Sequence, residues 1–308
     1  MGLSPQKLGT LLLATLSYLA LAAATLALLG LVHLPFWLTL LPLAAFPFAL
    51  KKQPHLIWLP LASFAALLLW RNSLQPSNNR SWPSDTQQVA STSITANKLW
   101  ITNYRDFNWL NDPPTETWQK VGFPLDQLSS VDLLIEPLPG STTFAHAMLT
   151  FHFGDRHLCL SIEARREVGE KYGIIPGALN QFELIHIIGS ESDLFTLRTH
   201  KRGAEIFRFP LKLTLQHQRA LLDRFLTSTN ELLAKPVFYR SLTHNCTTAL
   251  IKEGDVILKA SGQKPFGLRK ESVFTAQLPH VLHQRNLLQL PPDQPLIFEN
   301  FRVTPPIQ

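Results

Sequence analysis

The chain of 308 residues has room for one large domain or two modest ones, and with 45% hydrophobic against 16% charged residues it is too apolar for a disordered protein. Its formal charge is +6, yet five of its 28 basic residues precede Asp85, the first acidic one. The remainder is close to charge balance and carries no basic stripe, which excludes a nucleic-acid partner, and two cysteines, Cys159 and Cys246, exclude a disulfide scaffold or a four-cysteine zinc site.

Residues Leu8 to Val32 are uncharged and rich in Leu and Ala. At 1.5 Å per residue, such a run exceeds a hydrocarbon thickness of about 30 Å, so it predicts a spanning helix. Two further apolar runs follow, Leu34–Leu50 ending at Lys51-Lys52 and Leu56–Trp70 ending at Arg71, with Pro42, Pro47 and Pro60 as kink points. Three spans are expected, two being the alternative, and residues 1–71 are therefore assigned to a membrane anchor. With three crossings, Lys7 and the Lys51-Lys52 pair share the cytoplasmic side and everything after Arg71 lies on the periplasmic face. That makes a multi-pass protein of the inner membrane. Residues 72–97 are rich in Ser, Thr, Asn, Gln and Pro and read as a tether, which leaves 98–308 as the periplasmic domain.

Within that domain Lys98–Tyr104, Ala145–Phe153, Arg156–Glu163, Phe182–Gly189 and Ala204–Leu211 have strand character, and Gly154-Asp155 marks a two-residue hairpin. Leu222, Phe225, Leu226, Thr229 and Leu233 form a helical face after a Thr214 start, and Thr243 or Asn245 caps a helix running to about Leu258. The last 30 residues, with six prolines from Pro279 on, read as irregular. The fold class expected is α+β, an antiparallel sheet with helices on one side.

Cys246 falls where the second helix begins, and unpaired amides together with the helix dipole favour its thiolate there. A thiolate nucleophile needs a proton carrier. A Gly154-Asp155 turn places His146 directly across from Glu163 on one face, with Ser161 diagonal to them; one more residue in the loop would reverse that parity. Glu163 then accepts from one nitrogen of His146 and leaves the other for the thiol, or else pairs with Arg165 or Arg198 as a structural bridge. Arg165, Arg198 and Arg202 are candidates for a phosphate head group, internal ion pairs being the alternative, and Ser161 and Asn245 complete the candidate substrate-binding set. Cys246 itself has two rival readings, a packed structural thiol and one half of a disulfide with Cys159. Neither a metal site nor a bound cofactor is expected, and there is no GxSxG, Walker or HExxH pattern.

The blocks Asn103–Phe107, Ala145-His146, Ser161–Glu167, Phe182–Ile185, Leu197–Thr199 and Asn245–Thr248 together resemble, over about residues 98–260, the bacterial Lnb N-terminal periplasmic domain. That family is similar to papain-like enzymes with permuted order, histidine before cysteine. The resemblance implies a permuted papain-like fold with His146 and Cys246 as the catalytic pair. It further implies an acyl chain taken from a phospholipid, held as a thioester on Cys246 and passed to the N-terminal amine of a diacylated lipoprotein. A thiol peptidase, amidase or phospholipase using the same pair, or a non-catalytic envelope interaction module, are the competing expectations.

Overall fold

The computed structural model describes residues 4–32, 34–267 and 274–297. The chain divides into two compact units, one made of residues 1–76 with 170–182, the other of 77–169 with 183–308.

The first unit is helical. Helix α1 spans Pro5–Leu31, opened by the Ser4 side chain accepting from the Lys7 amide; α2 spans Leu40–Lys52 and α3 Leu59–Ser73. Two stretches, Pro5–Leu31 and Pro54–Ser73, are long and apolar enough to cross a membrane. Helix α2, with 13 residues and Pro47 inside it, is too short by itself. Ser17 donates to the Ile57 carbonyl ahead of α3, and the short helix α4, Ile174–Ala178, meets the far ends of both long helices. There Ile175 lies against Gly30 of α1, while Arg71 of α3 donates to the Ala178 carbonyl at 3.0 Å. Helices α1 and α3 are therefore parallel. Gly30 is required at its contact, because a Cβ there would stand 2.6 Å from the Ile175 side chain.

The second unit is α+β. Its strands are β1 Ser91–Thr95, β2 Lys98–Arg105, β3 Trp118–Pro124, β4 Leu128–Pro137, β5 Ala145–Phe153, β6 Arg156–Arg165, β7 Glu183–Gly189, β8 Phe207–Pro210 and β9 Leu296–Ile297. The sheet order is β1-β2-β7-β6-β5-β4-β8-β9, with β3 also on β2. All pairings are antiparallel except the single parallel contact of β2 with β7, Arg105 opposite Gly189. The β5–β6 hairpin turns at Gly154-Asp155 with Gly154 at φ 59, pairing Phe153 with Arg156 as the sequence predicts.

Helices cover both faces of this sheet, where one was expected. On one face Leu134, Met148, Cys159, Ile185 and Ile187 pack with Leu194 and Phe195 of α5, Glu191–Thr196. That helix is fastened by Asp193, which takes a forked pair of bonds from Arg105 at 2.8 and 2.9 Å. On the other face lie α6, Leu215–Ala234, started by Thr214, and α7, Cys246–Ala260, started by Asn245. Phe225 and Leu222 of α6 are fully buried, and Thr229 bonds His186 of β7, whose imidazole is pushed down to about 3 by burial and by His244, so it stays neutral.

Two expectations change. The stretch 72–97 contributes β1 and buries Trp82, Val89 and Ala90, so its latter part is built into the sheet domain. Its polar composition hides this because the chain is held by backbone: Arg165 donates to the carbonyls of Thr86 and Gln87 and stacks over Trp82 at 4.1 Å. The C-terminal region expected to be irregular contains α8, Leu278–Gln284, and β9, while residues 298–308 lie outside the described residues.

Candidate active site

Cys246 is the first residue of α7, and its backbone position is fixed by a full capping box. Asn245 Oδ1 accepts from the Thr248 amide at 2.9 Å and the Asn245 amide donates to Thr248 Oγ1 at 2.7 Å. The thiol is 6% exposed and lies at the beginning of β5. His146 and the Ala147 amide lie close enough to its sulfur to act on it as donors, with Thr247 Oγ1 at 3.8 Å. Burial alone would push its pKa up; the His146 charge and these donors outweigh burial and bring it below the ordinary thiol value. Cys159, buried in β6, is pushed well above it by burial and by Glu191, and both cysteines are free thiols. The disulfide reading is thereby overturned.

On the other side of the imidazole, His146 Nε2 lies 2.7 Å from Ser161 Oγ and 3.3 Å from Glu163 Oε1, and Ser161 donates to that same carboxylate oxygen at 2.6 Å. The remaining nitrogen, Nδ1, is the one left for the thiol. Burial works against a charged ring here. Glu163 and Cys246 overcome it and raise the His146 pKa to about 10, so the ring keeps its proton at neutral pH and its charge favours the thiolate form of Cys246. Glu163 is held well below the carboxylate range, its burial outweighed by His146, Arg198 and Arg202.

The β5–β6 ladder explains this arrangement. Its regular pairing ends at Met148–Ser161, two residue pairs short of His146 and Glu163, while β5 continues against β4 to Ala145. The strands part where the ring sits, and the Ser161 hydroxyl fills the gap. Arg198, fully buried in the π-helical turn Leu197–Lys201, donates to Glu163 at 2.6 Å, to Glu136 at 2.8 Å and to Ser161 at 3.2 Å. Glu163 thus fills both roles that the sequence left open, orienting the histidine and bridging to an arginine.

The four residues expected to bind substrate are each engaged within the fold. Arg165 is 1% exposed and spends its donors on Thr86, Gln87 and Asn78. Arg198 is enclosed by its two carboxylates, Ser161 is buried between His146 and Glu163, and Asn245 is consumed by the helix cap and by the Ser241 carbonyl. Arg198, Ser161 and Asn245 position the site from behind, whereas Arg165 fastens residues 78–87 to the sheet. Arg202, by contrast, is partly exposed and borders, with Arg105 and Arg166, a small polar recess beside Glu163. Glu136 is the participant that sequence reasoning missed; its place opposite His146 in the β4–β5 register was the available signal. Among the described residues no cluster of His, Cys, Asp and Glu is arranged to hold a metal.

An α+β periplasmic domain joined to apolar helices, with a cysteine and histidine in contact, defines a membrane-anchored envelope protein. The profile of the Lnb N-terminal periplasmic domain matches residues 114–270, just over half of the chain, and the protein belongs to that family. No curated protein and no solved structure gives a significant match.

Proposed function

We propose that this protein is a cysteine acyltransferase of the inner membrane that moves an acyl chain from a phospholipid to the N-terminal amine of a diacylated lipoprotein. The observation that carries the reading is the contact of a helix-start thiol with an imidazole whose opposite nitrogen is held by Ser161 and Glu163. Family membership supports the choice of acyl donor and acceptor.

In the first step the Cys246 thiolate attacks the ester carbonyl of the phospholipid, and the oxyanion that forms is met by the Cys246 amide at the start of α7. Collapse breaks the ester C–O bond, and imidazolium His146 gives its Nδ1 proton to the departing lysophospholipid alkoxide. In the second step the lipoprotein amine attacks the thioester carbonyl. Neutral His146 takes the amine proton, the C–S bond breaks, and amide product leaves with thiolate and imidazolium restored. Anchoring confines the enzyme to the layer that holds both substrates and raises their effective concentration. The parallel course of α1 and α3 favours a three-pass anchor: if both cross, the leg Phe36–Lys52, roughly 27 Å long, returns between them and places Lys7 and Lys51-Lys52 in the cytoplasm.

Mass spectrometry of the purified protein after incubation with phosphatidylethanolamine vesicles tests this. The expected product is an acyl adduct on Cys246, sensitive to hydroxylamine, absent from Cys246→Ser and discharged by a diacylated lipopeptide. A wild-type protein with no adduct would sink the reading, and an adduct discharged to water alone would assign hydrolysis instead.

A further inference from the structure

We infer that the apolar cavity between α7 and the sheet is the receptacle for the distal part of the acyl chain while that chain is carried on Cys246. This rests on the acyl-transfer reading and adds to it a binding site.

The cavity, of about 110 Å³, is walled by Leu133 and Leu149 of the sheet, Leu221 of α6, Leu250 and Ile257 of α7 and Leu282 of α8. Its polar neighbours do not alter its character, since His217 is turned to Ser261, with Nε2 2.8 Å from the hydroxyl. A half-open space of this size lined by aliphatic side chains favours hydrocarbon over water; the well-studied enclosed apolar cavity of about 150 Å³ that accepts benzene is only somewhat larger. Its position follows the reactive sulfur. Leu250 is one turn beyond Cys246 and Leu258, the last wall residue on the helix, is three turns beyond, so the space runs alongside α7 from roughly 6 to 18 Å from the nucleophile. A chain esterified at the helix start and laid along the helix enters it.

Gly254 supplies an independent observation. It sits in the interior of α7, where glycine is the least favourable residue short of proline. Close packing does not demand it, because a Cβ there would meet nothing within 4 Å, and its φ is not in the left-handed region. What the missing side chain leaves is part of the cavity itself, of which Gly254 is a wall. A glycine that costs helix stability and preserves an empty hydrophobic space has an explanation if the space is occupied during turnover.

The test plugs the cavity from two sides with Gly254→Leu and Leu282→Trp in the full chain reconstituted in nanodiscs, each first checked for a wild-type melting transition. Adduct formation on Cys246 is compared for phosphatidylethanolamine carrying 8-carbon and 16-carbon chains. The expected result is a shift of at least tenfold in favour of the shorter chain in either variant; an unchanged ratio in both overturns the inference. Palmitic acid with a terminal diazirine is photolysed in parallel with Cys246→Ser protein, which needs no turnover. Cross-links to the peptides bearing Leu133, Leu149 or Leu282, lost in Gly254→Leu, support the site even if no adduct ever forms, and in that case the transfer reading alone fails. Cross-links confined to α1 and α3 overturn the site.

Discussion

Ser161 Oγ is nearer to His146 Nε2, at 2.7 Å, than is the carboxylate that the imidazole faces across the strand pair. The hydroxyl passes its own proton to Glu163, so the ring is oriented through a bridge. Removing that bridge in Ser161→Ala deletes a hydrogen bond to a charged group, about 1.5–3 kcal/mol, equivalent to a ten- to hundredfold loss in the rate of adduct formation. Ser161→Thr should recover part of it. Circular dichroism should be unchanged for both, since no charge is stranded, and a wild-type rate in Ser161→Ala would remove the bridge from the mechanism.

The ionic state of the pair fixes its pH dependence. Cys246 is held below its ordinary value of 9.0, and His146 is raised from 6.5 to about 10. Adduct formation should fall on the acid side as the thiolate is protonated, and again near pH 10 as His146 loses the proton needed by the leaving group. Alkylation of Cys246 by iodoacetamide needs only the thiolate and should show the acid limb alone. Stability follows opposite signs for the two groups. The His146 contribution is complete below pH 6.5 and is lost as pH rises toward 10, whereas that of Cys246 is complete above pH 9.0 and is lost as pH falls through its lowered value. In Glu163→Gln the alkylation midpoint should move up toward that of an ordinary thiol, and a midpoint that stays put would show that Glu163 does not sustain the pair.

Arg198 is fully buried between Glu136 and Glu163. Arg198→Met leaves two carboxylates without their shared cation, and the loss expected for breaking such a buried pair is about 3–5 kcal/mol, read as the shift in urea midpoint. A loss below 1 kcal/mol would mean that water or Arg202 compensates.

Gly30 and Ile175 give a test in the helical unit. The Cβ of Gly30→Leu would press 2.6 Å from a β-branched side chain with little freedom to yield. Overpacking of about 1–3 kcal/mol should loosen α4 from α1, and trypsin should cut at Lys171 roughly tenfold faster or more. Equal cleavage rates would show that α4 finds another seat.

Where a local signal existed, the sequence was informative. The Gly154-Asp155 turn set the parity that faces His146 toward Glu163, and Asn245 marked the start of α7 and so the position of the thiol. Strand β4 was hidden because Asp132 and Glu136 interrupt its apolar run. They are buried all the same, since their partners His152, Arg208 and Arg198 arrive from other elements. For the same reason Arg165 and Arg198 read as surface cations available to a phosphate; only the fold reveals that carboxylates and backbone carbonyls already surround them. Ser161 was placed on the right face, but its bridging role depends on a ladder that stops two pairs short of His146 and Glu163, which no residue pattern announces.

The connection from β6 to β7 leaves the sheet domain, packs through α4 against α1 and α3, and returns. One consequence concerns truncation. A version beginning at Ser77 would still carry residues 170–182, now stripped of the helices they pack on, with Ile175 bared to water and prone to draw copies together. Solubilising the periplasmic half therefore calls for trimming that excursion as well as the N-terminal segment.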